Sequence, residues 1–428
     1  MAQNCFQRRS LRVSNATRTS AANLTLRQSL FPLALVTGFS YGLLDALNSH
    51  FQKTLGIDRA RSAGLQAAYF GAYPLASLGH ANWILRHYGY KAVFIWGLVL
   101  YGVGFCVSIF VIGNGLGSSE TATNPYITVC GPARYAEMRI NLSQAFNGIG
   151  SVVAPLMGSY IFSKDVSDNT SSLQDVQYVV TIPEITDADL TSEDETANQD
   201  QSFWKNYKLF HAAFAQFCYV GSQVAVASFF INYVIETRPN TSRSTAAQFF
   251  AGAQGTFAIG RFFGVGLMKY IRPRKVFLVF LSMVVVFTAA SIGTKDNAGL
   301  TMLYFVLFFE SIVFSTIVAL GMRGLGKHTK RGSGLIIGGV VGGAVVPPIL
   351  GAISDVPDSG TAYAFGVPLV FFILSWTYPF CVNFIAPYRI AADDVGVVST
   401  TQYSGATEDI DDGSSVLAKA TIARVEKV

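Results

Sequence analysis

Three acidic residues stand inside long apolar stretches of the chain, at Asp45, Glu120 and Glu310. If those stretches lie in a membrane, a carboxyl group there is costly to bury and is usually functional. Burial disfavours the charged form of an acid, so a buried carboxyl can take up a proton on one side of a membrane and release it on the other. We therefore predict proton transfer at Asp45 and Glu120, with Glu310 as a candidate second acid.

Uncharged amides accompany the acids in the apolar stretches. Asn141, Gln144 and Asn147 recur at every third position and begin a Gly-rich apolar helix. An amide both donates and accepts hydrogen bonds, so these side chains suit a polar solute. The same amides would equally serve as interhelical hydrogen bonds that hold helices together.

The acids have plainer interpretations as well. Glu120 would simply be solvated if its helix ended at the membrane surface, and Asp45 would serve structure if it only bonded to Asn48. Arg261, which follows Gly260 near the end of a span, is interpreted as a topology and gating residue rather than a ligand.

Composition supports the membrane. Of 428 residues, 51% are hydrophobic and only 13% are charged, which is about half the charged fraction of a soluble domain. The net charge of +5 comes from basic residues at span ends and does not indicate nucleic acid. The five cysteines are scattered without paired spacing, so we expect no metal site and no disulfide framework. Nucleophile–base pairs and a phosphate-loop pattern are missing from the sequence, so we expect no enzyme and no cofactor.

The elements that position the candidates are apolar spans in two halves. The first half has spans near 31–51, 65–85 and 92–112, the stretch around Glu120, and 141–162. The second has six, near 209–235, 246–270, 276–292, 300–322, 335–353 and 362–386. Basic loops at 86–91, 134–139, 272–275 and 323–331 indicate the cytoplasmic side, which places both termini there.

The halves repeat, since residues 150–158 and 343–351 share the pattern G-x-V-V-x-P-x-x-G. Repeated halves are typical of secondary transporters, with the substrate site at their interface. The repeat is incomplete, because the first half lacks a counterpart to the last span and its 92–130 hairpin is short. The span ending near 162 would then end on the outer side of the membrane, although the next span should start on the cytoplasmic side.

We therefore predict an all-α polytopic membrane protein with 10 or 11 spans of an ancestral twelve. The predicted segments are a disordered cytoplasmic arm (1–30), an incomplete helical bundle (31–162), an acidic cytoplasmic linker (163–205), a six-helix bundle (206–388) and a disordered cytoplasmic tail (389–428).

Several long stretches resemble one known family. They include GLLDALNSHFQ at 42–52, QAAYFGAY at 66–73, ETATNPYITVCGP at 120–132, RINLSQAFN at 139–147 and GRFFG at 260–264. They are similar to the L-fucose–proton symporter branch of the major facilitator superfamily, which includes glucose/galactose permeases. The resemblance covers most of the chain from about 35 to 386.

The resemblance implies proton-coupled uptake of a monosaccharide such as L-fucose or a hexose by alternating access. Glu120 matches the family's fourth-helix acid, whereas the first-helix acid aligns with Ser49, and Asp45 lies one helical turn earlier. Gln144 and Asn147 match positions near the sugar, and Asn48 matches a polar residue beside the first-helix acid.

The full set of candidate sugar ligands is Asn48, Gln66, Gln144, Asn147 and Gln216. We expect a monomer in the lipid bilayer of the plasma membrane, with sugar and protons as its partners. Two alternatives stay open, namely a non-transporting relic or mis-spliced product that has lost apolar residues, and a transport-fold sensor that binds sugar without turnover.

Overall fold

The computed structural model describes residues 45, 52, 58–107, 109–129, 135–163, 203–325, 328–357 and 359–393. The predictions for Asn48, for the arm 1–30 and for most of the linker and tail lie outside the described residues. The regular elements among the described residues are all helices, which confirms the predicted all-α class.

The first half is built from α1 (Arg59–Ser62), α2 (Gly64–Gly71), the π-helical α3 (Leu75–His80), α4 (Ala81–Val107), α5 (Ile109–Val129) and α6 (Ala136–Ser163). Asp45 and Gln52 are helical too. The second half follows a 3-10 turn at Phe203–Lys205 with α7 (Tyr207–Thr237), α8 (Arg243–Met268), α9 (Pro273–Gly293), α10 (Asp296–Glu310), α11 (Val313–Met322), α12 (Thr329–Gly338), a 3-10 turn at Gly339–Val341, α13 (Gly342–Ser354), α14 (Gly360–Ala364), α15 (Gly366–Phe384) and α16 (Ala386–Asp393).

Five helical segments of the second half are long and apolar enough to cross a membrane: Tyr207–Thr237, Pro273–Gly293, Asp296–Met322, Thr329–Ser354 and Gly360–Phe384.

In the first half the predicted loop at 86–91 contains the break in α4. Gly89 has a φ of +78° there, a conformation that glycine adopts without the clash of a Cβ atom. Two helices therefore meet at the predicted loop.

The short hairpin of α4 and α5 closes through glycines. A Cβ atom at Gly97 would meet the Oγ of Ser119, and one at Gly115 would meet the backbone of Tyr101. The pairs 97/119 and 101/115 run in opposite directions about the turn, so α4 and α5 are antiparallel. Gly113 makes a similar approach to the backbone oxygen of Tyr69 in α2. Glycine permits this close helix packing, and the packing fixes the helix that carries Glu120.

The basic loops gather at one end of the bundle, which we call the basic end. Lys330 lies over the ring of Tyr90, with its Nζ 5.1 Å from the ring centroid. Glu137 at the start of α6 forms an ion pair with Arg323. At the other end, which we call the opposite end, Arg59 forms an ion pair with Glu236 of α7. The two halves thus touch at both ends.

This arrangement keeps the conflict that the sequence predicted in the first half. Helix α6 begins at the basic end and so finishes, at Ser163, toward the opposite end, whereas α7 reaches the opposite end only at its last residues. The helix before the predicted linker therefore ends toward the opposite end of the bundle, whereas the helix after the linker begins at the basic end.

Two boundaries differ from those predicted. The tail was expected from 389, but α16 continues to Asp393, whose carboxylate accepts hydrogen bonds from Arg274 at 2.9 and 3.1 Å. The acidic residue is paired with a basic loop, which composition alone does not reveal. Similarly, Phe203 of the predicted linker is buried, and the guanidinium of Arg331 lies 4.3 Å from its ring centroid.

Candidate functional site

Asp45 is held by side chains from both halves of the molecule. Gln66 of α2 donates to its Oδ1 from Nε2 at 3.0 Å. The hydroxyl of Ser228, in α7 of the second half, donates to the same oxygen at 3.0 Å. A carboxylate oxygen can accept several hydrogen bonds, and bonds to the charged form are the stronger ones. The protonation state of Asp45 is thus linked to a contact between the halves.

A second polar contact joins the same two regions closer to the opposite end. Gln52 donates to the hydroxyl of Ser62 at 2.8 Å and accepts from the amide of Asn232 in α7 at 2.8 Å. Both amides are buried. Asp45 and Gln52 therefore contact α7 at two levels.

Glu120 is buried within α5, with only 9% of its surface exposed. It lies within electrostatic range of Tyr69 in α2 and of Arg261 in α8. Glu120 is therefore not solvated at the end of its helix, which was the plainer interpretation of this acid.

The helix of Glu120 also contacts the second half through its own backbone. Pro125 has no N–H group, so the carbonyl of Thr121 loses its usual partner within α5. The hydroxyl of Ser333 in α12 lies 3.4 Å from that carbonyl oxygen and donates to it. A released carbonyl inside a bundle needs such a partner, and here the other half supplies it.

Gln144 and Asn147 are both engaged by Arg261. The guanidinium Nη1 donates to Gln144 Oε1 at 3.2 Å and to Asn147 Oδ1 at 3.4 Å, and also to the backbone oxygen of Gln144. Its Nε donates to the backbone oxygen of Ser311 at 3.1 Å. The guanidinium carbon lies 4.4 Å from the ring centroid of Phe257, within the range of a cation–π contact. Arg261, in α8, therefore bridges α6 of the first half to Ser311, directly after α10 of the second.

Glu310 lies at the break between α10 and α11, next to Ser311. It is 2% exposed, and its Oε2 has no hydrogen-bond partner among the described residues. Tyr219 donates to its backbone oxygen at 2.7 Å and not to its carboxyl group. Glu310 is within electrostatic range of Arg261 and of Asp45. A break inside a span at such a position is a common way to build a polar site in a transporter.

These hydrogen bonds and longer-range electrostatic interactions define one central polar cluster at the interface of the halves. Its members are Asp45, Gln66, Glu120, Gln144, Asn147, Ser228, Arg261 and Glu310. The structure brings together all three predicted acids and three of the five predicted amides.

Gln216 differs from the other predicted amides. It is fully buried in α7, packed near Gly339, and neither of its amide atoms has a hydrogen-bond partner among the described residues. A buried amide without a partner calls for a water molecule or a ligand. Asn48 lies outside the described residues.

Two members of the cluster were not predicted as site residues. Ser228 is one of many hydroxyls in apolar spans, so its type carries no signal. Arg261 was interpreted as a topology and gating residue, although it is 4% exposed and lies between predicted site residues. The rule applied to buried acids, that a charge inside a span is functional until shown otherwise, would have found it.

No group of three or more His, Cys, Asp or Glu residues in the described part of the chain could hold a metal ion. A cleft of about 680 Å³ at the basic end is lined by residues such as Trp83, Trp204 and Arg331. It contains no member of the central polar cluster.

Comparison with known proteins identifies the family. No family model matches the sequence. A glucose/galactose transporter of Brucella abortus is 31% identical over 376 residues, covering 80% of this chain and 90% of the relative. The solved structure of FucP, a major facilitator superfamily transporter in the outward conformation, aligns with a TM-score of 0.63 and 26% identity, over 82% of this chain and 97% of FucP. The chain belongs to the major facilitator superfamily.

Other relatives agree with this assignment. The L-fucose–proton symporter of Escherichia coli is 29% identical over 386 residues, covering 77% of this chain and 88% of the symporter. The human organic anion transporter MFSD10, at 14% identity and a TM-score of 0.58, shares the fold. The chain is thus an integral membrane protein of a transporter family and not an enzyme, as predicted.

Proposed function

We propose that this superfamily member is a proton-coupled symporter of a monosaccharide, such as L-fucose or a hexose. The names of the bacterial relatives supply the substrate class. The observation that carries the proposal is Asp45, which accepts hydrogen bonds at 3.0 Å from Gln66 in its own half and from Ser228 in the other. A proton taken up there acts directly on a contact between the halves.

The coupling follows from hydrogen-bond strength. A bond to a charged group contributes about 1.5–3 kcal/mol, against about 0.5–1.5 kcal/mol for a neutral pair. Protonation of Asp45 therefore weakens its bond to Ser228 and shifts the balance between closed and open arrangements of the halves. Glu120, which is buried on α5 within electrostatic range of Arg261 of the second half, acts with Asp45 in coupling, and Glu310 is a further candidate acid.

The sugar would lie in the central polar cluster, between α5 and α6 of the first half and α7, α8 and α10 of the second. Gln144 and Asn147 offer oxygens and amide protons to its hydroxyls. Gln216 and the Oε1 of Gln66 are buried without partners among the described residues, so they are further ligand candidates. Asn48 stays a predicted ligand on the resemblance alone.

The orientation and assembly are part of the proposal. The basic end would face the cytoplasm, as the positive-inside rule predicts, with both termini on that side. The protein would act as a monomer in the plasma membrane. The incomplete 31–162 bundle, the acidic linker at 163–205, the six-helix bundle at 206–388 and the terminal arm and tail stay as the predicted organisation.

The test is uptake of radiolabelled hexoses and 6-deoxyhexoses into proteoliposomes with and without an imposed pH gradient. Glu120→Gln and Asp45→Asn should each lower gradient-driven accumulation by about tenfold or more while leaving sugar binding measurable. Asp296→Asn is the matched control, because it changes an acid of similar size outside the cluster.

Each of the other outcomes selects another function. Uptake that does not respond to the gradient would mean a facilitator rather than a symporter. Binding without uptake would support the sensor alternative. Protein in the bilayer that neither binds nor transports any of these sugars would support the relic.

A further inference from the structure

Arg261 occupies the place where the proposed sugar would bind. Its guanidinium contacts the side chains of Gln144 and Asn147 at 3.2 and 3.4 Å, and it is almost fully buried between the halves. Without these contacts, closing the halves would leave the buried Asn147 amide and the half-buried Gln144 amide without these partners, which is unfavourable. Sugar hydroxyls and the guanidinium therefore compete for the same two oxygens.

We propose that Arg261 is an internal occupant of the sugar subsite, which pairs with Gln144 and Asn147 in the empty carrier and is displaced when sugar binds. This inference rests on the proposed function. It assigns Arg261 a positioning role, because the residue sets the state of the two sugar ligands and holds α6 against α8.

The structure also offers a place for the displaced guanidinium. The Oε2 of Glu310 is buried without a hydrogen-bond partner among the described residues, and the carboxyl group is in electrostatic range of Arg261 but not in ion-pair contact with it. Tyr219 engages only the backbone oxygen of Glu310. The other charged groups that face this pair are Asp45, near Glu310, and Glu120, near Arg261. A guanidinium suits such a move, because its fork can bond a carboxylate through two nitrogens.

Arg261 should act on one step of the transport cycle, the return of the empty carrier to the side from which it takes up sugar. Net uptake by a symporter requires the halves to close and reopen without sugar, whereas exchange of internal for external sugar requires only loaded transitions. An arginine that takes the place of the sugar stabilises the closed empty state. Arg261 should therefore matter for net uptake and much less for exchange.

The experiment compares the two modes in proteoliposomes. In Arg261→Ala, gradient-driven net uptake should fall by about tenfold or more, while exchange should stay within about twofold and sugar should bind about threefold to tenfold more tightly. Arg261→Lys should recover part of the net uptake. Arg272→Ala, at an arginine of the same half with a 66% exposed side chain, should leave both modes unchanged. Parallel loss of both modes in Arg261→Ala, or unchanged net uptake, would overturn the inference.

A second measurement does not depend on any sugar. The Nδ2 of Asn141 in α6 lies 3.8 Å from the Sδ of Met268 in α8, so an Asn141→Cys and Met268→Cys pair in a chain without its native cysteines should be cross-linked by a short bifunctional thiol reagent in the empty protein. Arg261→Ala should lower that cross-linking severalfold. An unchanged cross-link would refute the role of Arg261, whereas a wild-type chain that neither binds nor exchanges sugar would refute the proposed function and leave the cross-link to be judged separately.

Discussion

At the scale of single residues, the contact between Asp45 and Ser228 is the most direct link between charge and the packing of the halves. Ser228→Ala removes the hydroxyl that donates to Asp45 at 3.0 Å. If Asp45 is charged, the loss should be about 1.5–3 kcal/mol of stability, and much less in an Asp45→Asn background. The double-mutant cycle, measured by thermal unfolding in nanodiscs, should give a coupling energy of about 1–2 kcal/mol.

The control for this cycle is Ser228→Thr, which keeps the hydroxyl and should retain most of the coupling. Additive effects of Ser228→Ala and Asp45→Asn would show that the two side chains do not interact in the bilayer. The proton would then need another route to the interface of the halves.

The residues of the cluster show what a sequence can and cannot predict at this scale. The presence of a carboxyl or an amide in an apolar span can be seen from local sequence alone, so Asp45, Glu120 and Gln144 could be predicted as candidates. Their partners depend on which helices lie side by side at the same depth. Ser228 is 183 positions from Asp45, and nothing local to either residue indicates the pairing.

At the scale of helices, the hairpin of α4 and α5 is where packing controls the site. A Cβ atom at Gly113 would overlap the backbone oxygen of Tyr69, whereas one at Gly64 would meet nothing within 4 Å. Gly113→Ala should therefore force α5 away from α2 and cost about 1–3 kcal/mol. Gly64→Ala should be neutral or stabilising by about 0.5–1 kcal/mol, because alanine is the better helix former.

Thermal unfolding and uptake together test this packing. Gly113→Ala should lower both, since α5 carries Glu120, and Gly64→Ala should lower neither. Equal melting temperatures for the two variants would mean that α5 tolerates the shift and that the glycines are not what holds the short hairpin together.

The helices themselves were largely predictable, because apolar length and basic loops are local properties. The break at Ser311 was not, since residues 300–322 form one apolar run without proline or a suitable glycine at that point. The break places the carbonyl of Ser311 on Arg261 and exposes Glu310 to the interface. The last turn of α16 was missed for a related reason, since its anchor is an ion pair between distant residues, Arg274 and Asp393.

At the scale of the whole molecule, the repeat of the two halves was visible in the sequence, whereas their closure was not. Contacts between halves depend on pairs such as Thr121 with Ser333 and Gln52 with Asn232. These partners come from different halves, and no repeat pattern relates them. What the repeat predicts is the existence of an interface, and what the structure adds is the set of bonds that must break for it to open.

Two ion pairs at the two ends are the bonds that we expect to control this opening. At the opposite end Arg59 pairs with Glu236, whose carboxylate also accepts from Thr361 at 2.7 and 2.9 Å. At the basic end Arg323 pairs with Glu137, whose side chain is fully buried. Removing one partner of a buried pair leaves an uncompensated charge and costs about 3–5 kcal/mol. The Arg59 and Glu236 side chains are 28% and 26% exposed, so water screens that pair more and its loss should cost less.

Arg323→Ala should therefore open the basic end strongly, and Arg59→Ala should open the opposite end only slightly. Single cysteines placed in the cluster, for example Asn147→Cys, should become accessible to a membrane-impermeant thiol reagent from the side that opens. Adding Glu137→Gln to Arg323→Ala should restore much of the closed state, because the buried charge is then gone along with its partner. If Glu137→Gln gives no such rescue, the effect of Arg323→Ala would instead come from its bond to the backbone oxygen of Ala392, and the latch at the basic end would belong to α16 rather than to α6.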